Sequence, residues 1–236
     1  MLHAIATDLW AIEAALRLPG GLRLPSRATI LRVSGDRLVV HSPLAIDDET
    51  ARAIDALGEV SFIVAPSCFH HLYAARTASR WPKAEVLGAP SLAKKLAGLP
   101  FDPLPSSSSL LGGELLVRRI DGVPGLDEHV FFHPTSRTLV VTDLVFNVHA
   151  CPGFGMPIFL RLVGAWKKLA QSRMWRFATK DRAAAAASVA DVLAWDFDRL
   201  VMAHGDVIES GAREGLAEAL HWLRAGAPRL LSAASP

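Results

Sequence analysis

Three short, mostly apolar runs in this chain each lead into a side chain that can ligate a metal. Residues 62–65 lead through Pro66 to His70 and His71, residues 139–142 to Asp143, and residues 200–203 to His204. Runs of about four to six apolar residues suit buried strands, whereas helices need roughly ten or more. Rigid strand ends hold short loops in register, so groups placed there can gather at one edge of a sheet. The expected fold is therefore built on sheets whose ends converge.

The rest of the chain alternates in the same sense. Strands are predicted over 9–13, 28–33 and 37–41, the last two joined by Ser34-Gly35-Asp36 as a hairpin turn. Asp47-Asp48-Glu49 starts a helix running to Leu57, with acids placed to complement its dipole, and Gly58 closes it. A strand over 60–65, a helix after His70-His71 running to Ser79, a strand over 85–88 and a short helix over 91–97 follow. That alternation implies crossover connections and a partly parallel sheet. Residues 100–113, rich in Pro and Ser, are expected as a loop and as the seam between two halves. Strands return over 115–120, 128–133, 138–142 and 199–203. Asp181 is placed to cap an alanine-rich helix to Ala194, and Asp206 to cap a final helix through Leu223. Two packed sheets with helices outside, α/β (α+β), follow from this order, as a single domain over 1–236.

Composition narrows the function classes. Hydrophobic residues make up 51% and charged residues 20%, the balance of a packed globular chain. The 25 Lys and Arg are dispersed against 23 Asp and Glu, for a net charge of +2. Such dispersal leaves little footprint for nucleic acid, which is not expected as a partner. The uncharged run 144–160 is broken by Pro152, Gly153, Gly155 and Pro157 and falls short of the roughly 20 apolar residues that span a bilayer. No membrane partner is expected, and that run is expected as a loop entering a helix. The two cysteines, Cys68 and Cys151, suit a reducing compartment, and without a recognisable secretory leader the expected location is cytoplasmic. No Gly-x-Ser-x-Gly elbow or phosphate-binding P-loop is present, which sets those enzyme classes aside.

Imidazoles with a carboxylate suit zinc first, with iron or manganese as alternatives. A bound ion acidifies its water and so favours hydrolysis at neutral pH. The order of these residues resembles the metallo-β-lactamase-like superfamily. There a strand ends in His-x-His-x-Asp-His, and Gly-His-Thr-Pro-Gly, a bridging Asp and a final His-Gly follow. Pro66-Ser67-Cys68-Phe69-His70-His71 resembles the first motif, Asp121-Gly122-Val123-Pro124-Gly125 the second, Thr142-Asp143-Leu144 the third and Ala203-His204-Gly205 the fourth. More closely, Leu24-Pro25-Ser26-Arg27, His41-Ser42-Pro43-Leu44, His70-His71-Leu72-Tyr73, Ser136-Arg137-Thr138-Leu139 and Trp195-Asp196-Phe197-Asp198-Arg199 resemble the DUF4336 group.

The resemblance implies a four-layer αββα sandwich and a reduced site. Pro66, Cys68 and Gly122 stand where one ion's three histidines belong, so that ion's cage is missing. The other ion's places hold His70, His71, Asp143 and His204, which implies one divalent ion, or none if the site is degenerate. Asp143 would also accept the water's proton. The function implied is a metal-dependent hydrolase of an unidentified small molecule, and the alternative is a non-catalytic descendant that binds a ligand or keeps only its packing.

Other residues carry two readings each. His41 could brace the site or simply end a strand, and Cys68 could be a soft ligand or a small core residue. Glu128 could face the site or away from it, depending on strand alternation. His133 is expected in a turn. His3, His129, His149 and His221 are expected on the solvated surface. Residues 154–166 are expected to pack on the core, with a pocket wall or homodimer face as the alternatives.

Overall fold

The computed structural model describes residues 1–224; the remaining 225–236 of the expected domain lie outside the described residues. Alternation along each strand sends successive side chains to opposite faces, and here both faces of most strands are apolar, so each sheet must be covered twice. The first sheet runs β1 (Leu2–Ala6), β2 (Leu9–Arg17), β3 (Arg23–Val33), β4 (Arg37–His41), β5 (Glu59–Ala65), β6 (Glu85–Gly88) and β7 (Asp102–Pro103), in that order. The second is ordered β12 (Arg199–Met202), β11 (Thr138–Val141), β10 (His129–His133), β9 (Leu115–Arg119) and β8 (Ser107–Leu110). The pairs from β4 to β7 and the pair β11–β12 are parallel; the others are antiparallel.

Leu31, Val39, Phe62 and Val64 of the first sheet pack against Val117, Phe131, Val140 and Val201 of the second, forming the core between them. The alternate residues face outward. Ile30, Val40 and Ile63 meet Ala51 and Ile54 of α1 (Asp48–Asp55). On the other side Leu139, Val141, Leu200 and Met202 meet Val189 and Val192 of α5 (Arg182–Leu193) and Leu216 of α6 (Ala212–Ala219). The layers are thus helix, sheet, sheet, helix, the expected αββα sandwich. The other helices are α2 (Ala74–Arg80), α3 (Gly155–Leu162), α4 (Arg173–Ala178) and α7 (His221–Arg224).

Local signals account for much of this. Asp47 accepts the Thr50 N–H at 2.7 Å to start α1, and Asp181 accepts the Ala184 N–H at 2.9 Å to start α5. Three expectations are corrected. Residues 100–113 contain β7 and β8, the edge strands of the two sheets, where pairing on one side only tolerates Pro103 and the polar Ser107–Leu110 segment. Asp206 caps no helix: its N–H is bound by the Asn147 carbonyl at 2.9 Å, the next residues pair back on β12, and α6 starts after Gly211 at φ +67°. The helix expected to run on through Leu223 is broken between α6 and α7. β1 was not foreseen, and β2 and β3 extend well beyond the expected ranges. Their extension carries Leu16 and Leu24 out over the site described next. No helix among the described residues is long and apolar enough to cross a membrane.

Candidate metal centre

Val141 and Met202 are aligned neighbours on the parallel strands β11 and β12, so the residues that follow, Asp143 and His204, leave the second sheet side by side. β5 of the facing sheet ends at Ala65, and the tight turn after it presents His70 to the same edge. The ligating atoms of His70, Asp143 and His204 all lie within 4.8 Å of one another. His70 Nε2 is 3.3 Å from Asp143 Oδ2, and His204 Nε2 is 3.3 Å from Asp143 Oδ1.

Those separations bear on whether the residues fit an ion. Charge-assisted hydrogen bonds between nitrogen and carboxylate close to about 2.7–2.9 Å, so 3.3 Å is long for them. Ligands at about 2.0–2.1 Å from a tetrahedral ion stand roughly 3.3–3.4 Å from one another. Asp143 Oδ2 is buried without a hydrogen-bond partner among the described residues, as expected of an acceptor whose partner would be a cation. The donor set fits a divalent ion.

Neighbouring groups orient the donors. The Pro25 carbonyl lies 2.8 Å from His204 Nδ1. A carbonyl only accepts, so Nδ1 carries the proton and the Nε2 lone pair is left free to ligate. Ser42 Oγ lies 2.7 Å from His70 Nδ1, and Phe146 stacks on the His204 ring at 5.0 Å. Phe146 is itself fixed by backbone pairing with Ala170, while Asn147 pairs with Gly205; a Cβ at Gly205, φ +108°, would stand 2.3 Å from the Asn147 backbone. Burial opposes ionisation of Asp143, but His70 and His204 hold its carboxyl well below the usual carboxylate range.

His71, expected as the fourth ligand, stands outside this cluster. It lines the same cavity, with Nδ1 buried and unpartnered among the described residues, and burial followed by the Lys95 charge lowers its pKa. His41 is buried edge-on to Phe131 at 5.1 Å, and burial and then His70 push its pKa down to about 3. Cys68 turns away to Ser91, with Sγ 3.0 Å from its hydroxyl. Glu128 is buried with Oε1 accepting from the Thr142 N–H at 2.8 Å and hydroxyl at 2.9 Å, which braces the strand end that carries Asp143. Burial and then Asp143 raise the Glu128 pKa to about 7. His133 reaches Ser136 and, across the sheets, the Arg32 carbonyl. His129 is fully buried on β10, against the surface expectation; His3, His149 and His221 are exposed.

The three places where the resemblance would put further ligands have other uses. Pro66 offers its carbonyl to the His129 N–H, Cys68 faces Ser91, and Gly122 at φ +78° packs its backbone against Asp181. No local signal pointed to Phe146 or to the Pro25 carbonyl. Beside the triad opens a cavity of about 610 Å³, with Phe69, Leu72 and Met174 at its lining and exposed to solvent.

Residues 7–102 match the family described as a domain of unknown function, DUF4336. No curated protein matches the sequence. Among solved structures, the FIM-1 metallo-β-lactamase from Pseudomonas aeruginosa in its mono-zinc form superposes with a TM-score of 0.63 at 17% identity, over 97% of this chain and 96% of that one. A metallo-β-lactamase from Pontibacter korlensis gives 0.64 at 16% identity, over 95% and 98%. The metal-soaked Flv1 flavodiiron core from Synechocystis gives 0.65 at 14% identity, over 95% of this chain and 60% of that one. At such identities the likeness establishes the fold alone. Residues 7–102 are thus similar to the DUF4336 family, and the chain has a metallo-β-lactamase-like fold.

Proposed function

We propose that this protein is a metal-dependent hydrolase with a mononuclear centre held by His70, Asp143 and His204. The observation that carries the reading is the largely buried carboxylate of Asp143, flanked at 3.3 Å by two imidazole nitrogens, with Oδ2 buried and without a hydrogen-bond partner among the described residues. Three protein donors with an open fourth position are the pattern of catalytic zinc sites, whereas structural sites are closed. When bound, a divalent ion supplies an acidified water and polarises a substrate carbonyl. The chain's own groups do the rest. Asp143 is the carboxylate at hand to accept a proton, the Pro25 carbonyl holds His204 in one tautomer, and Phe146 shields the His204 ring from solvent. The products would be an acid and the group released from its carbonyl, with water providing the new oxygen.

The test is the metal content of protein purified without chelator or affinity-column metal. About one ion per chain is expected, lost in His70→Ala and in His204→Ala. Folded, metal-free protein that takes up none of zinc, manganese or ferrous iron would overturn the proposal. It would favour a non-catalytic ligand-binding role. Two histidines and one carboxylate also suit non-haem iron, so the identity of the ion decides between hydrolytic and redox chemistry.

A further inference from the structure

We infer that the cavity beside the triad takes a single-chain anionic amphiphile, its apolar chain along the cavity wall and its acidic end at Lys95. This names a substrate class for the proposed hydrolase and rests on that reading, although filling the cavity does not require the ion.

The volume, about 610 Å³, lies within the range of small-molecule sites. Its wall is built from Leu16 and Leu24 of the overhanging β2–β3 hairpin, Phe159 and Val163 at α3, and Trp175 of α4. The three serine hydroxyls that line it are already engaged. Ser42 is bonded to His70, Ser26 donates to the Leu24 carbonyl, and Ser172 accepts the Trp175 N–H. Polar recognition of a sugar, nucleotide or peptide would need many free donors and acceptors along that wall; these three are spent on the fold, and the polar groups left beside the triad are few, chiefly the Tyr73 hydroxyl and His71 Nδ1.

The rim continues the apolar surface outward. Phe69, Leu72 and Met174 line the cavity and are 58%, 62% and 59% exposed, so an apolar track runs from solvent to the triad. Water-exposed apolar surface at the mouth of an apolar cavity gains most from a ligand that covers both. Charge sets the sign of the head group. Lys95 is the lysine or arginine lining the cavity; its Nζ donates to the Cys68 carbonyl at 2.8 Å, leaving two further N–H donors. Residues 154–182, which supply α3, α4 and much of the wall, hold seven Lys or Arg against one Asp, in a chain whose net charge is only +2. Lys95 is the local cation and Asp143 the local carboxylate of the lining, so an acidic head group is favoured at Lys95, away from Asp143. A fatty acyl carboxylate, or an acyl ester or thioester with an acidic head, has this chemistry.

The test uses the full chain stripped of metal, titrated calorimetrically with monomeric hexanoate, octanoate and decanoate, and with decylammonium as the head-group control. Binding should tighten about fourfold per methylene, roughly 250-fold from hexanoate to decanoate. Decanoate should bind more tightly than decylammonium, and Lys95→Met should erase that preference. Leu16→Glu, at a half-buried strand position that tolerates a polar side chain in the fold, should flatten the chain-length series. Metal content is measured in parallel on protein purified without chelator, so a chain that holds no ion yet keeps the series shows failure of the metal reading separately from failure of this one. Binding that does not depend on chain length, or a series unaltered by both Leu16→Glu and Phe159→Glu, would overturn the inference. So would attachment to phosphatidylglycerol vesicles without uptake of monomeric decanoate, which would make the rim a membrane-docking face instead.

Discussion

Replacing Gly122 by alanine tests whether backbone packing leaves room for a side chain where the superfamily resemblance would place a ligand. Gly122 sits at φ +78°, and a Cβ built there would stand 2.0 Å from the Asp181 carbonyl oxygen and 2.9 Å from its carbon. The left-handed backbone alone costs a residue with a side chain roughly 1–2 kcal/mol. The clash adds to this, because both atoms it meets are backbone and can move only by shifting the start of α5. Gly122 O accepts the N–H groups of Lys180 at 2.8 Å and Asp181 at 3.1 Å, so that shift stretches two hydrogen bonds worth about 1 kcal/mol each. It also disturbs the Asp181 cap, worth about 1 kcal/mol. The sum is roughly 3–5 kcal/mol, a large share of the about 5–15 kcal/mol that holds a typical domain together. At this chain length it should lower Tm by roughly 10 °C. Urea titrations and thermal melts of Gly122→Ala would measure it, and Gly122→His should be at least as destabilised while gaining no second ion. A loss under about 1 kcal/mol in Gly122→Ala, or a second tightly bound ion in Gly122→His, would refute the argument that backbone packing excludes a ligand there.

Two further outcomes follow from the same geometry. Ser42→Ala removes the hydrogen-bond partner of His70 Nδ1 and should weaken metal binding about 10- to 100-fold in competition dialysis, with no change in the chelated protein's fold; unchanged affinity would show that Ser42 does not orient the ligand. His41 is held neutral by burial and then by His70, with its pKa pushed down to about 3, against about 6.5 in the unfolded chain. The unfolded chain therefore takes up its proton first, so the stability His41 contributes is complete above about pH 6.5 and is lost as pH falls towards 3. Unfolding free energies measured at pH 7, 6, 5 and 4 should fall less steeply for His41→Phe, by about 1.4 kcal/mol per pH unit, than for the parent; parallel curves would contradict this.

Adjacent residues show where reading the sequence stops. His70 and His71 share a motif and a chemistry, yet only His70 joins Asp143 and His204, a matter of tertiary placement that residue type does not decide. His129 has nothing in its neighbours to mark it as buried, but β10 is the central strand of the second sheet and both its faces are covered. The edge strands β7 and β8 lack apolar alternation, since an edge pairs on one side and is fixed by its partner rather than by its own pattern. Asp206 has the composition of a helix cap, but its backbone is taken by Asn147, far away in the chain.

What the sequence determined by itself is local: the alternation behind the central strands, the Asp47 and Asp181 caps, and the placing of His70, Asp143 and His204 at strand ends. Those features rest on periodicity and on side chains acting within a few residues. What only the tertiary structure decided is which of them meet. Packing the two sheets face to face brings β5 against the parallel pair β11–β12 and so draws three donors to within 4.8 Å. The same packing leaves an apolar cavity of about 610 Å³ beside them, under a hairpin whose overhang no local signal announced.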